Sequence, residues 1–316
     1  MTIPTFGGLR LPAKRLAMII SPRIFWSRVM VKKLRWQDIR RKLWSPTEPP
    51  APRVFSEPQW QGHVSLWYFL YRWFVFGCWI AIIVCSLFDI GSRHPEGRKE
   101  TWPIYLTHWD LVLGASQAFL GAILVSRRRN QERRSSFDAE ALTLGKIERM
   151  YWVLYTITSS IAVCVTIAYW GAIYDPRIHS KDALNFMLHL FNTILMLVDL
   201  LVVGVPLRVE HFWWSLTCVV LYVIFTIFYY LAGGLDKHGY HYIYKILDWE
   251  QPGRTTLVCL GGFAFLTIVH CILCSFARLR IYVRAKAVGT MATATISQKA
   301  KMDFALPRTK SIELVV

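Results

Sequence analysis

The sequence predicts an all-α polytopic membrane protein: a bundle of six transmembrane helices with both termini cytoplasmic. Three observations carry this expectation. The 316-residue chain is 54% hydrophobic and 15% aromatic, with 14 tryptophans, which is too apolar for an ordinary soluble enzyme. Six apolar runs, bounded by charges or Pro/Gly clusters, are each long enough to cross hydrocarbon as a helix. Lysine and arginine segregate about those runs, 28 on one side of the implied topology and 8 on the other, as basic residues that resist translocation should.

The first 59 residues form a basic region. Within it, residues 29–44 set Val29, Trp36, Ile39 and Leu43 on one helical side amid Lys32, Lys33, Arg35, Arg40, Arg41 and Lys42. That pattern fits an interfacial helix on an anionic inner leaflet. It equally fits a basic arm without regular structure, since Pro22 and the proline-rich 46–52 stretch limit helix formation. The apolar cluster from Leu16 to Ile20 is too short for a signal peptide, so the first span is expected to target the chain to the membrane. The membrane domain covers 60–280, with runs near 66–88, 103–126, 150–174, 184–206, 212–232 and 255–277. The second and fourth runs hold the most polar residues, and a five-span bundle is the alternative. The tail, 281–316, lacks apolar periodicity and reads as a disordered cytoplasmic segment.

The net charge of +17 follows from this topology. It implies lipid partners, anionic inner-leaflet lipids among them, and no nucleic acid; the expected residence is the plasma membrane or the endoplasmic reticulum. All seven cysteines fall inside predicted spans, so none is placed for a disulfide in an exposed loop. The 233–254 loop, GGLDKHGYHYIYKILDWEQPGR, is aromatic enough to lie at the interface or to cover the bundle mouth. Its histidines and acids match no standard ligand spacing, so neither a metal nor another cofactor is expected.

The second and fourth runs carry polar residues at the same offsets: Thr107, Asp110 and Gln117 in one, His189, Asn192 and Asp199 in the other. Offsets of 0, +3 and +10 fall within an arc of roughly 80° on a helix and span roughly 15 Å of rise. Such groups turn toward a bundle interior or a wet cavity, so two stripes imply a shared polar chamber. Both runs cross in the same direction, which levels Thr107 with His189. A hydroxyl and a base are the minimum for nucleophilic attack on an acyl carbonyl. Asp199 lies roughly 15 Å along the helix from His189 and cannot orient it; Asp110 is the better partner. Asn185 and Asn192 flank His189 by one turn each way, placed to hold the ring or donate to an oxyanion. Gly114 and Gly121 leave room for a close helix or an acyl chain. Gln117 and Asp199 read as structural, and His108, His211 and His270 as packing residues.

YLTHWDL at 105–111, LHLFNTILMLVDLL at 188–201 and GGLDKHGYHYIYKILDWEQPG at 233–253 resemble the rolling stone family over about 55–278. That resemblance implies a multi-pass membrane protein associated with myoblast fusion in insects. The layout is also similar, more distantly, to the androgen-induced membrane hydrolases. Their resemblance implies cleavage of fatty acid esters of hydroxy fatty acids by an intramembrane threonine and histidine, here Thr107 in its Tyr-Leu-Thr context and His189. Asp110 departs from the asparagine usual in that family, and the 233–254 loop is more elaborate. Two functions follow as expectations: a threonine-dependent lipid-ester hydrolase, or a non-catalytic protein acting in adhesion or cell fusion. A transporter is disfavoured by the lack of an inverted repeat.

Overall fold

The computed structural model describes residues 50–305 except 94 and 96–98, with backbone alone for 288–305. The candidate interfacial helix at 29–44 and the end of the tail lie outside the described residues. Among the described residues, six helices are long and apolar enough to cross a membrane. They are α1 (Leu66–Leu87), α2 (Leu106–Glu132), α3 (Lys146–Ala168), α4 (Ala183–Val202), α5 (Phe212–Leu231) and α6 (Pro252–Ala305). Each expected run thus forms a helix, the two striped ones included. The last helix continues as one element through residues 281–305, which lack apolar periodicity and were expected to be unstructured. Periodicity reports burial of one face, and a helix can continue without it.

Helix α3 is the axis of the bundle, touching α2, α4, α5 and α6. Its small polar residues allow this central position. Ser159 and Ser160 donate to the carbonyls of Tyr155 and Thr156 at 2.6 and 3.2 Å, which satisfies hydroxyls that hydrocarbon would otherwise leave unpaired. His270 of α6 meets Ser160 at 2.9 Å and the Arg208 carbonyl at 3.0 Å, and His211 stacks on Trp214, so both are packing residues as expected.

The segment before α1 is more than a flank. Residues Pro52–Phe55 form a short 3-10 turn, and Phe55 is buried against the rings of Tyr151 and Trp152. Glu57 pairs with Arg128 of α2 at 2.7 Å, and Arg128 also holds Glu132 at 2.9 Å. The packed domain therefore begins near Pro52, ahead of the expected boundary at 60.

Near the start of α1 and the end of α4, Arg72 and Asp199 form an ion pair at 2.7 Å, both side chains wholly inaccessible. Tyr71 donates to Asp199 at 2.8 Å, and Arg72 donates to the Tyr151 hydroxyl at 3.2 Å. Two glycines of α2 make space for α1: a Cβ on Gly121 would stand 1.9 Å from Arg72 Nη2, and one on Gly114 would stand 2.4 Å from the Trp79 ring. These glycines serve helix approach, not acyl-chain room. Gly121→Ala is therefore expected to destabilise by about 1–3 kcal/mol through forced displacement of a buried guanidinium. Gly77→Ala, where a Cβ meets nothing within 4 Å, should leave the melting temperature of the purified protein unchanged; equal shifts for the two variants would contradict this packing.

Candidate functional site

The two polar stripes do meet. Asn192 donates to Asp110 at 3.1 Å, and one turn or two deeper Gln117 reaches the Met196 sulfur at 3.6 Å. The deepest group, Asp199, turns to α1. Asp110, Gln117, Asn192 and Asp199 are all fully buried, so the lower two thirds of the stripes is closed to solvent. The Asn192 carbonyl also accepts from Thr166 of α3 at 3.3 Å. Asn192 is thereby a three-helix tie, and no hydrogen bond joins it or Asp110 to His189.

The reason lies in backbone geometry. Residues Met187–Phe191 form a π turn within α4, and Tyr169–Ile173 form another at the end of α3. An extra residue in a turn rotates what precedes it away from the ideal helical register. His189 is swung off the Asn192–Asp199 stripe, and its imidazole stacks on the Tyr169 ring with centroids 3.4 Å apart and planes at 4°. The Tyr169 hydroxyl accepts from Asn185 at 2.6 Å, and Asn185 also donates to the Ser180 carbonyl at 2.8 Å. Asn185 thus holds His189 through Tyr169.

Above this closed region, a cavity of about 730 Å³ opens at the end of the bundle that carries the 175–182 and 233–251 loops. Thr107, Asn185 and His189 all line it, as do His108 and His179. Thr107 sits at the start of α2 and is 5% exposed. No hydrogen bond joins Thr107 to His189. Instead the Tyr244 hydroxyl takes the Leu106 N–H at 3.1 Å and interacts with the Thr107 side chain. His189 Nδ1 is buried without a hydrogen-bond partner. The histidine read as a packing residue, His108, is held by the Trp102 carbonyl at 2.5 Å and by Ser86 at 3.2 Å.

The 233–254 loop builds the cavity roof. Gly233 ends α5 with a φ of +73°, the left-handed conformation that glycine adopts without strain. Gly234 lies against Tyr229 so closely that a Cβ would be 2.4 Å from its ring. Asp236 then accepts from the N–H groups of His238 and Tyr240 at 2.9 and 2.7 Å, closing a turn at Gly239. This turn aims Tyr244 at Thr107 and seats Trp249 on Thr226 at 3.1 Å. His241, Asp248 and Glu250 gather on the loop's outer side, with His241 at 3.2 and 3.4 Å from the two carboxylates. Tyr244, Tyr169 and His179 are among the cavity residues that the sequence did not single out. For Tyr244 the signal was the aromatic centre of the 233–254 loop, which was expected at the interface or over the bundle mouth.

Outside the spans, burial favours the neutral forms of Tyr244 and His179, and hydrogen bonds favour the ionised form of Asp182. Burial pushes the Tyr244 phenol up, which keeps it a hydroxyl donor. Burial would raise Asp182, but hydrogen bonds from Ser180 and from the N–H groups of Arg93 and Asn185 outweigh it and hold the carboxyl low, as befits a helix N-cap. His179 is pushed below its ordinary 6.5 by burial, then by Lys237 and His238. The unfolded chain therefore binds more protons between the folded value and 6.5, and stability falls as pH drops through that window. Between about pH 7.5 and about pH 5, His179→Gln should lose less thermal stability than the parent protein; an equal loss would contradict this contribution.

Comparison with known proteins gives one consistent answer. The family model described as protein rolling stone matches residues 51–296. Protein rolling stone of Drosophila melanogaster is 30% identical over 252 residues, covering 74% of this chain and 86% of that protein. No solved structure matches.

Proposed function

The chain belongs to the rolling stone family, and on that premise we propose that this multi-pass membrane protein is an intramembrane lipid-ester hydrolase with Thr107 as nucleophile and His189 as base. The observation that carries the reading is that a buried threonine, Thr107, a histidine, His189, and a tyrosine, Tyr244, line one cavity at the membrane-domain mouth. Catalytic hydrogen bonds are often long or absent before substrate binds. An ester carbonyl between Thr107 and His189 completes the set.

In the proposed reaction the Thr107 hydroxyl oxygen bonds to the ester carbonyl carbon while its proton passes to His189. The developing oxyanion takes a hydrogen bond from the Tyr244 hydroxyl. Collapse breaks the carbon–oxygen bond to the alcohol, and the proton on His189 goes to that leaving oxygen. Water then attacks the acyl-threonine, giving its proton to His189, which returns it to the Thr107 oxygen as the carboxylic acid leaves. Asn185 and Tyr169 act as positioning residues that fix the imidazole plane. Lys and Arg segregation supports an orientation with this mouth on the side opposite the cytoplasm.

The test is turnover of fatty acid esters of hydroxy fatty acids by the purified protein in nanodiscs, with Thr107→Ala and His189→Ala as controls. Absence of turnover in the parent, or parental turnover in both variants, removes the mechanism. The second reading, a non-catalytic role in adhesion or cell fusion, would then be supported by rescue of fusion with Thr107→Ala.

A further inference from the structure

Thr107 lines two cavities. Besides the polar one, a narrower space of about 170 Å³ lies among α3, α5 and α6. The two share Thr107, Tyr169, Ile173, Tyr244 and Ile246 as a common wall. Past the hydroxyls of that wall and of Tyr222, the smaller cavity is lined only by aliphatic and phenylalanine side chains, two thiols and a glycine, with Cys164 on α3, Val219 on α5, and Cys259, Gly262 and Leu266 on α6. Those α6 positions recur at three- and four-residue spacing, so one helix face supplies the floor. Gly262 is exposed, and a Cβ there would meet nothing within 4 Å; the cavity opens at this point on the flank of the bundle.

We infer that this cavity is the acyl-chain subsite: the fatty acyl tail of the ester lies between α3, α5 and α6, and its alcohol portion occupies the polar cavity. The inference rests on the proposed role of Thr107. A threonine in the shared wall is where an ester carbonyl must sit if its apolar and polar halves are sorted to opposite sides. The flank opening lets a tail enter from hydrocarbon without crossing water. A chain moving from lipid into this cavity gains no hydrophobic energy, because lipid tails are as apolar as the lining. The cavity therefore acts on orientation and chain length, and Gly262 is its specificity-determining position.

Two measurements on the full-length protein test this. Esters of one alcohol with acyl chains of graded length are hydrolysed by the parent, Gly262→Leu, Gly262→Trp and the control Gly261→Leu, whose Cβ also meets nothing within 4 Å and which lies outside the lining. The Gly262 variants are expected to shift the long-to-short ratio of kcat/KM downward by about tenfold or more, with Gly261→Leu unchanged. A ratio unmoved in active Gly262 variants overturns the subsite. Independently of turnover, a fatty acid with a terminal diazirine is photolysed with the parent protein. Labelling of peptides bearing Cys164, Cys259 or Phe263, lost in Gly262→Trp or Gly262→Leu, is the expected result. Labelling confined to outward residues such as Leu257 and Leu260, equal in all proteins, overturns it. A parent that shows the specific label without any turnover sinks the hydrolase reading and leaves the apolar subsite standing.

Discussion

Asp199→Ala is expected to cost about 3–5 kcal/mol, enough to prevent most of the protein from folding, because it leaves Arg72 as an uncompensated buried charge. Both partners are wholly buried at 2.7 Å, and neither can reach water without unpacking α1 from α4. Arg72→Met should cost a similar amount by stranding Asp199 with only the Tyr71 hydroxyl for support. The double change, Arg72→Met with Asp199→Leu, removes both charges and fills the space with apolar atoms. It is expected to recover most of the stability, since an ion pair replaced by apolar residues of similar volume is often neutral or better. Monodispersity on size-exclusion chromatography and thermal midpoints in detergent read all three. A single variant as stable as the parent would show that the pair does not hold α1 to α4.

The other large effect concerns chemistry. Thr107→Ala removes the proposed nucleophile, and His189→Ala removes the base, which alone contributes typically about 10²–10⁴-fold. The two losses should not add, because a nucleophile and its base act as one unit. Tyr244→Phe keeps the ring and loses the hydroxyl, so kcat should fall by about 10²-fold or more with a smaller change in KM. Asn192→Ala, by contrast, cuts the tie among α2, α3 and α4. It should lower stability first and turnover only as the folded fraction falls.

Much of this arrangement was legible in the chain. The spans follow from apolar runs because hydrocarbon demands about 20 such residues per crossing. Matched offsets set the two stripes side by side, and Asn192 donates to Asp110 across them, where the sequence had offered Asp110 to His189. The π turns were not legible: no residue pattern marks an inserted residue, and one such turn was enough to detach His189 from the face that a regular helix assigns it. The Arg72–Asp199 pair was visible in principle. An arginine and an aspartate each alone in separate spans are costly enough that they should seek one another. Tyr244 lies far along the chain from Thr107, and only the closed loop turn at Asp236 and Gly239 brings them together.

The proposed activation of Thr107 by His189 is tested most directly by reacting the purified protein with a fluorophosphonate, which phosphonylates activated hydroxyls, and mapping the adduct by mass spectrometry. One adduct is expected, on the Thr107 peptide, formed by the parent protein and lost in a folded His189→Ala variant. An adduct on another residue, no adduct at all, or equal labelling of Thr107 without His189 would contradict it.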